Sequence, residues 1–258
     1  MPLHLALSHD EEVGCLGVRS LIARMAARPL RPRLCLVGEP TAMRIAIGHK
    51  GKLAARACAH GGAGHAALAP GALDAIYLAC DVVDRLRLRQ GALARSRRSD
   101  TDDDVPSTTI PVGRIDGGTA LTIVPERCTL DFEIRNVSGV DAGAILDLLR
   151  QDAKEIVAAE RGRFTCAEIE TVIAYPALDT PPAAEVVAFA KALVEDEGHC
   201  KVAFGTEGGL FREGLSIPTV VCGPGPMDQG HRPDEFIALD HLAAAGRMMD
   251  RLLARLRI

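Results

Sequence analysis

Arg127-Cys128-Thr129-Leu130-Asp131-Phe132-Glu133-Ile134-Arg135-Asn136 is the stretch that decides how this chain folds. Cys128, Leu130, Phe132 and Ile134 alternate with Thr129, Asp131, Glu133 and Arg135. A strict period of two sends successive side chains to opposite faces, so the run predicts an antiparallel strand with one packed and one solvated face. Upstream of it, Lys52 to Cys58 reads as a strand. Positions 72–88 read as a helix whose apolar residues include Ala75, Ile76, Ala79, Val82, Val83 and Leu86. A polar loop over 90–106 and a strand near 107–115 lead to the turn Asp116-Gly117-Gly118. Downstream, a helix at 140–159 and a strand near 164–173 complete the order βαββαβ. That order is the ferredoxin-like split unit, which makes 49–175 one inserted domain.

The flanks have a different character. Leu3-His4-Leu5-Ala6-Leu7 and Leu34-Cys35-Leu36-Val37 are apolar runs, as expected of strands in a parallel sheet covered on both faces. With a strand at 3–8, a helix at 16–27 and a strand at 34–37, residues 1–48 open an α/β unit. After the insert come a helix at 182–194, a strand near 201–204, a helix at 207–214, a strand at 217–222 and a helix at 238–256. Residues 176–258 therefore read as the second part of the outer domain, and the fold class is α/β with an α+β insert. A sequence whose first residues already read as a core strand also predicts a missing segment upstream.

Composition narrows the function. Hydrophobic residues make up 48% of the 258, enough for a sizeable core, and the net charge of −4 excludes a basic nucleic-acid face. Arg95, Arg97 and Arg98 are followed by Asp100, Asp102, Asp103 and Asp104, a charge reversal typical of a solvated loop. No apolar run approaches the roughly 20 residues of a membrane span. The cysteines stand singly at 15, 35, 58, 80, 128, 166, 200 and 222. Free thiols within apolar runs predict a reducing, cytoplasmic setting.

Three short stretches carry residues suited to metal chemistry. Ser8-His9-Asp10-Glu11-Glu12 follows the first expected strand, Gly38-Glu39-Pro40-Thr41 the second, and Gly230-His231-Arg232-Pro233-Asp234 comes after Val220-Val221-Cys222. Singly they read as well as an acidic cap, a turn and an exposed loop histidine. Together they are carboxylates and an imidazole at strand ends of one α/β domain, a zinc-type ligand set. Of the other histidines, His4 and His9 flank the first strand, His60 and His65 lie in the insert, and His199 and His241 read as helix-surface residues.

At this point the residues resemble the M20 metallopeptidase family, its acetylornithine deacetylase branch in particular. The motifs in order begin with Asp10-Glu11-Glu12-Val13-Gly14-Cys15, Gly38-Glu39-Pro40-Thr41, Gly48-His49-Lys50-Gly51 and His65-Ala66-Ala67-Leu68-Ala69-Pro70. They continue with Phe132-Glu133-Ile134-Arg135-Asn136, Gly205-Thr206-Glu207-Gly208-Gly209-Leu210-Phe211, and Cys222-Gly223-Pro224-Gly225 leading to His231-Arg232-Pro233-Asp234-Glu235-Phe236. The resemblance implies a zinc-exopeptidase-like catalytic domain holding two Zn2+ or Co2+ ions per subunit, and a ferredoxin-like insert that forms a homodimer and acts as a lid. It implies Glu11 as general base, Glu12 and His231 as ligands of one metal, and Glu39 as ligand of the other. His65 would stabilise the oxyanion in the partner subunit's site, and Arg135 would hold the substrate carboxylate. Thr206, Glu207 and Gly208 would lie beside the substrate's side chain.

The implied reaction is hydrolysis of an N-acyl amino acid, N-acetylornithine to ornithine and acetate in arginine biosynthesis. A desuccinylase or dipeptidase of the same family is the neighbouring alternative, and a non-catalytic dimerising protein is the alternative from another class. The family places a His-x-Asp motif and a bridging Asp before the Glu-Glu pair. No histidine here is followed two residues later by Asp, so the resemblance also implies an incomplete metal site and little activity.

Overall fold

The computed structural model describes residues 2–29, 31–96, 100, 102–103, 105–160 and 166–256. In chain order its elements are α1 (Leu16–Ala26), β1 (Cys35–Val37), β2 (Ala46–His49), β3 (Gly51–His60), β4 (Gly64–His65), α2 (Ala75–Ala94), β5 (Val112–Gly117), β6 (Ile123–Val124) and β7 (Arg127–Asn136). There follow α3 (Ala142–Ala159), β8 (Cys166–Tyr175), β9 (Leu178–Asp179), α4 (Glu185–Val194), β10 (Cys200–Val202), α5 (Gly208–Leu215), β11 (Thr219–Val221) and α6 (Leu239–Leu256). They divide into two units. Unit 1 comprises Met1–Lys50, Thr101–Val105 and Tyr175–Ile258, and unit 2 comprises Gly51–Asp100 and Pro106–Ala174.

Unit 2 is governed by the alternating strand. β3 and β7 pair antiparallel from Gly51 opposite Asn136 to His60 opposite Arg127, and the sheet order is β5-β7-β3-β8. With α2 and α3 between the strands in sequence, this is the split βαββαβ arrangement. Leu130, Phe132 and Ile134 are buried with Leu53, Leu78, Leu86, Leu146 and Leu149 in one core. Asp74 accepts hydrogen bonds from the N–H groups of Ile76 and Tyr77, and Asp141 does the same for Gly143 and Ala144. Each cap satisfies donors the helix cannot, a contribution of about 1 kcal/mol.

Helix α2 departs from its expected range. The Asp74 cap starts it at Ala75 instead of 72. It runs on to Ala94 because its last turns are anchored: Arg89 pairs with the buried Asp152 at 2.7 Å, and Gln90 accepts the Ile110 N–H at 2.7 Å. The polar loop is correspondingly shorter, and its Arg97, Arg98 and Asp104 lie outside the described residues, as do 161–165, where the strand expected near 164–173 would begin. The strand expected near 107–115 starts only at Val112, with a single bridge from Thr109 to Arg135 before it.

Unit 1 holds a sheet of order β1-β11-β2-β10, with β9 also paired to β2. β1 and β11 run parallel, as do β2 and β10, but β11 meets β2 antiparallel. The sheet is therefore mixed, a correction to the all-parallel expectation. Burial on both faces does hold: Val221 joins a core with Val18, Ile22, Phe211 and Leu215, while its neighbour Val220 joins another with Ile45, Ile47, Val187, Leu193 and Leu252. β2 and β9 escaped the sequence reading because four and two residues are too few to show a period.

The strand expected at 3–8 is absent. Residues 2–10 are irregular, with Leu5 83% and Leu7 81% exposed. A strand exists only by virtue of a neighbour that takes its hydrogen bonds, and among the described residues none pairs with this segment. No helix among the described residues is long and apolar enough to cross a membrane. Among the cysteines whose side chains are described, those at 15, 35, 58, 80, 128 and 222 carry free thiols.

Candidate active site

Because β1 and β11 are parallel neighbours, their carboxyl ends share one edge of the unit 1 sheet. The segments that leave this edge are stitched together. Thr41 N–H donates to the Gly223 carbonyl at 3.2 Å, Met43 N–H to the same carbonyl at 2.9 Å, and Ala42 N–H to Gly225 at 2.8 Å. Gly223 packs so closely that a Cβ there would lie 2.5 Å from the Glu39 carbonyl oxygen, so only glycine allows this approach. Glu39 is thus held beside the start of the segment that carries His231.

Two helices begin in the same region. α5 runs back across the sheet before β11, which brings its first turn to the carboxyl end of β11; a Cβ on Gly208 would lie 3.5 Å from Val221. Thr206 Oγ1 accepts the Gly208 N–H at 2.9 Å and is buried. Thr206 and Gly208 therefore shape the turn that presents Glu207. Ahead of α1, the Glu11 carbonyl accepts from Gly14 N–H at 2.9 Å and Cys15 N–H at 2.8 Å, a tight turn that carries the Glu11-Glu12 pair.

The result is a collection of carboxylates with one imidazole. His231 Nε2 lies 3.0 Å from Glu12 Oε2, both exposed. Cys15 Sγ donates to Glu11 Oε1 at 3.5 Å. Burial raises the pKa of Glu11; the Cys15 hydrogen bond opposes this, Glu12 and Glu207 add to it, and His231 opposes it weakly. Glu39 is pushed up to about 7, first by burial and then by the charges of Glu11, Glu207 and Glu12. Glu207 is 7% exposed, and its Oε1 is buried without a hydrogen-bond partner. Carboxylates outnumber the one imidazole here, and crowded like charges raise a carboxylate pKa.

Backbone strain marks the same segments. Among the described residues the non-glycine positions with positive φ are Asp10, Cys15, Ala42, Met43, Glu195, Ser216, His231 and Asp234. Glu195 and Ser216 simply terminate α4 and α5. Of the other six, Asp10 and Cys15 flank Glu11-Glu12, Ala42 and Met43 follow Glu39, and His231 and Asp234 lie together in the segment after β11. Left-handed backbone at residues that disfavour it is stored where a site is being shaped.

The donor set suits a divalent cation in charge and in chemistry, and the orphaned Glu207 oxygen points the same way. Glu12 and His231 are the two potential ligands that converge. Among the described residues no group of three or more His, Cys, Asp or Glu side chains is disposed to hold an ion. Two ligands fall short of the four that zinc takes in a closed site.

His65 and Arg135 belong to unit 2. His65 is exposed at the end of β4, and its Nδ1 accepts the Ala67 N–H at 3.1 Å. Arg135 Nε donates to Glu133 at 2.8 Å, and Lys52 lies 3.3 Å from the same carboxylate. Burial alone would raise the Glu133 pKa, but these two cations hold it below the usual range. His199 is in a loop, 3.3 Å from Lys191 Nζ. His241 Nδ1 accepts the Gly225 N–H at 3.0 Å, which ties α6 to the segment after β11. Neither is a plain helix-surface residue.

Sequence reasoning gave Cys15 no role, although its distance of four residues from Glu11 was a usable signal. It named His49 only as part of a motif and gave it no role; the His49 Nε2 is buried without a partner. Burial lowers the His49 pKa to about 4, so it is neutral at physiological pH.

Comparison with known proteins agrees with this architecture. Residues 47–160 match the M20 peptidase dimerisation domain. The acetylornithine deacetylase of Edwardsiella ictaluri is 28% identical over 252 residues, covering 98% of this chain and 63% of the relative. That of Vibrio vulnificus is 30% identical over 244 residues, covering 93% and 61%. The chain thus spans a little over three-fifths of these relatives' length. Among solved structures, aminopeptidase PepT from Bacillus cereus superposes with a TM-score of 0.67 at 20% identity, covering 94% of this chain and 61% of that one. The YXEP protein of Bacillus subtilis, described as a dinuclear metal binding peptidase from the M20 family, does so at 0.63 and 15%, covering 94% and 62%.

Proposed function

We propose, from its kinship with the M20 metallopeptidases, that this chain carries the larger part of an amide hydrolase of the deacylase type. Its substrate class would be N-acyl amino acids, N-acetylornithine first among them. The observation that carries the reading is the meeting of Glu11, Glu12, Glu39, Glu207 and His231 at one sheet edge, where Glu11 and Glu39 are raised and four carboxylates face a single imidazole. A divalent ion such as Zn2+ or Co2+ held at Glu12 and His231, with a second at Glu39, would supply Lewis-acid polarisation and acidify a bound water.

Glu11 has the features of a proton carrier: it neighbours the ligand Glu12, and its raised pKa brings it nearer to neutrality. It would take a proton from the attacking water and pass it to the departing amine. Glu207 would offer its unpaired buried carboxylate to a cationic substrate side chain. Arg135, a planar two-pronged donor, would take the substrate carboxylate, and His65 the oxyanion in a partner subunit's site. The dimerisation-domain match supports a homodimer. The free cysteines support a reducing, cytoplasmic setting.

Two converging ligands make a weak metal site, and we infer that the chain alone binds metal loosely and hydrolyses little. Zinc stoichiometry after chelation and reloading tests this, together with hydrolysis of acetyl, succinyl and peptide substrates. The expected result is at most one loosely held ion, lost in His231→Ala. Two tightly held ions per chain would overturn the inference of an incomplete site. Preference for succinyl or peptide substrates would move the chain to another branch of the family, and a dimer indifferent to metal and without hydrolysis would favour a non-catalytic role.

A further inference from the structure

The outer face of the unit 2 sheet, turned away from the helices, carries a pair of groups that the proposed hydrolysis does not use. β3 alternates buried and accessible positions, and its accessible side includes Arg56, Cys58 and His60. Cys58 Sγ lies 3.1 Å from His60 Nε2. Two residues apart on one strand, the thiol and the imidazole are held together by the pleat itself, on the long ladder between β3 and β7.

We propose that Cys58 is a nucleophilic thiol, with His60 as its base, that exchanges with low-molecular-weight disulfides and so forms a reversible thiolation site. A thiol in hydrogen-bond reach of an imidazole can ionise as it attacks. The charged groups around it are Arg56 on β3 and Arg127 and Asp131 on β7, with Glu170 of β8 near enough to Arg56 to interact with it. Arg56 is joined to Asp131 at 2.6 Å, and Arg127 stands opposite His60 in the ladder.

The other thiols differ in kind. Cys15 and Cys35 are pushed up to about 12 and Cys222 to about 11, in each case first by burial, and burial also raises Cys128. Such thiols stay protonated and inert. Cys80 is exposed, yet among the described residues it has no hydrogen bond to an imidazole.

In the exchange, the Cys58 sulfur attacks one sulfur of the disulfide while its proton passes to His60. The old S–S bond breaks as the new one forms. The departing thiolate takes the proton back from His60, so Cys58 is oxidised, one thiol is released reduced, and no further oxidant is needed. Excess thiol reverses the reaction.

Oxidised glutathione added to the full chain near pH 7, followed by intact mass and peptide mapping, tests the proposal. Cys58 should be modified at least about tenfold faster than the more exposed Cys80, because the adjacent imidazole takes the proton as the sulfur attacks. Cys58→Ser should remove the fast adduct, and His60→Asn should bring Cys58 close to the Cys80 rate while leaving Cys80 unchanged. Should His60→Asn disturb the strand, the unmodified chain still decides through the relative rates of the Cys58 and Cys80 adducts. A Cys80 adduct that forms as fast as the Cys58 adduct, or faster, would overturn the proposal.

Discussion

The two units solve the problem of charge in opposite ways. Unit 2 rests on ten-residue strands, β3, β7 and β8, and its charges meet partners: Arg56 with Asp131, Lys52 and Arg135 with Glu133, Arg89 with Asp152. Unit 1 is built on strands of two to four residues, β1, β2, β9, β10 and β11. It leaves Glu207 buried and unpaired and raises Glu11 and Glu39. Every non-glycine residue with positive φ among the described residues falls in unit 1. Where the pattern is regular the chain is satisfied, and where it is strained and unpaired it has the makings of a site.

The largest test of this contrast is Phe132→Ala. The ring is 3% exposed in the unit 2 core, and its removal should cost about 3–5 kcal/mol through lost transfer energy and the cavity left behind. Urea denaturation measures the loss, and a change below about 1 kcal/mol would mean that the core is not tightly packed.

An intermediate effect is expected from Glu39. Its pKa in the folded chain, about 7, lies above the ordinary 4.5, so the folded state holds the proton more tightly than the unfolded state. The associated stability is complete below pH 4.5 and is lost as pH rises through about 7. The thermal midpoint of the metal-free chain should therefore fall between those values. Glu39→Gln should flatten the trend, and Glu11, raised in the same direction, leaves a smaller residual slope. A midpoint that climbs over this window would reverse the assignment.

The smallest effect is expected where unit 2 wastes a charge pair on solvent. Arg114 and Asp116 are 3.1 Å apart and both largely exposed. Asp116→Asn should change stability by less than about 0.5 kcal/mol. A larger loss by the same urea measurement would show that surface pairing, and not the core, sustains unit 2.

Much of unit 2 was legible because its signals are local. The alternation of 128–135 announces β7, and Asp74 and Asp141 cap helices whose apolar spacing is plain. The far end of α2 was not legible, since Arg89 and Gln90 extend it through partners at Asp152 and Ile110 that are distant in sequence. In unit 1, Leu3, Leu5 and Leu7 show what the segment 3–8 would favour, yet no described strand pairs with it. The candidate residues Glu11, Glu12, Glu39 and His231 could be picked by type and by their places after apolar runs. The burial of Glu207 could not, because burial depends on what the rest of the chain lays over a side chain.

The sequence alone determined periodicity, capping and the kinds of chemical group available, all of which act over a few residues and need no partner. Only the tertiary structure decided that β11 runs parallel to β1 but antiparallel to β2, that four carboxylates gather at one edge, and that Cys58 faces His60 on an open sheet face. Strand direction, burial and electrostatic coupling are properties of pairs, and the pairs here join residues as far apart as Glu12 and His231.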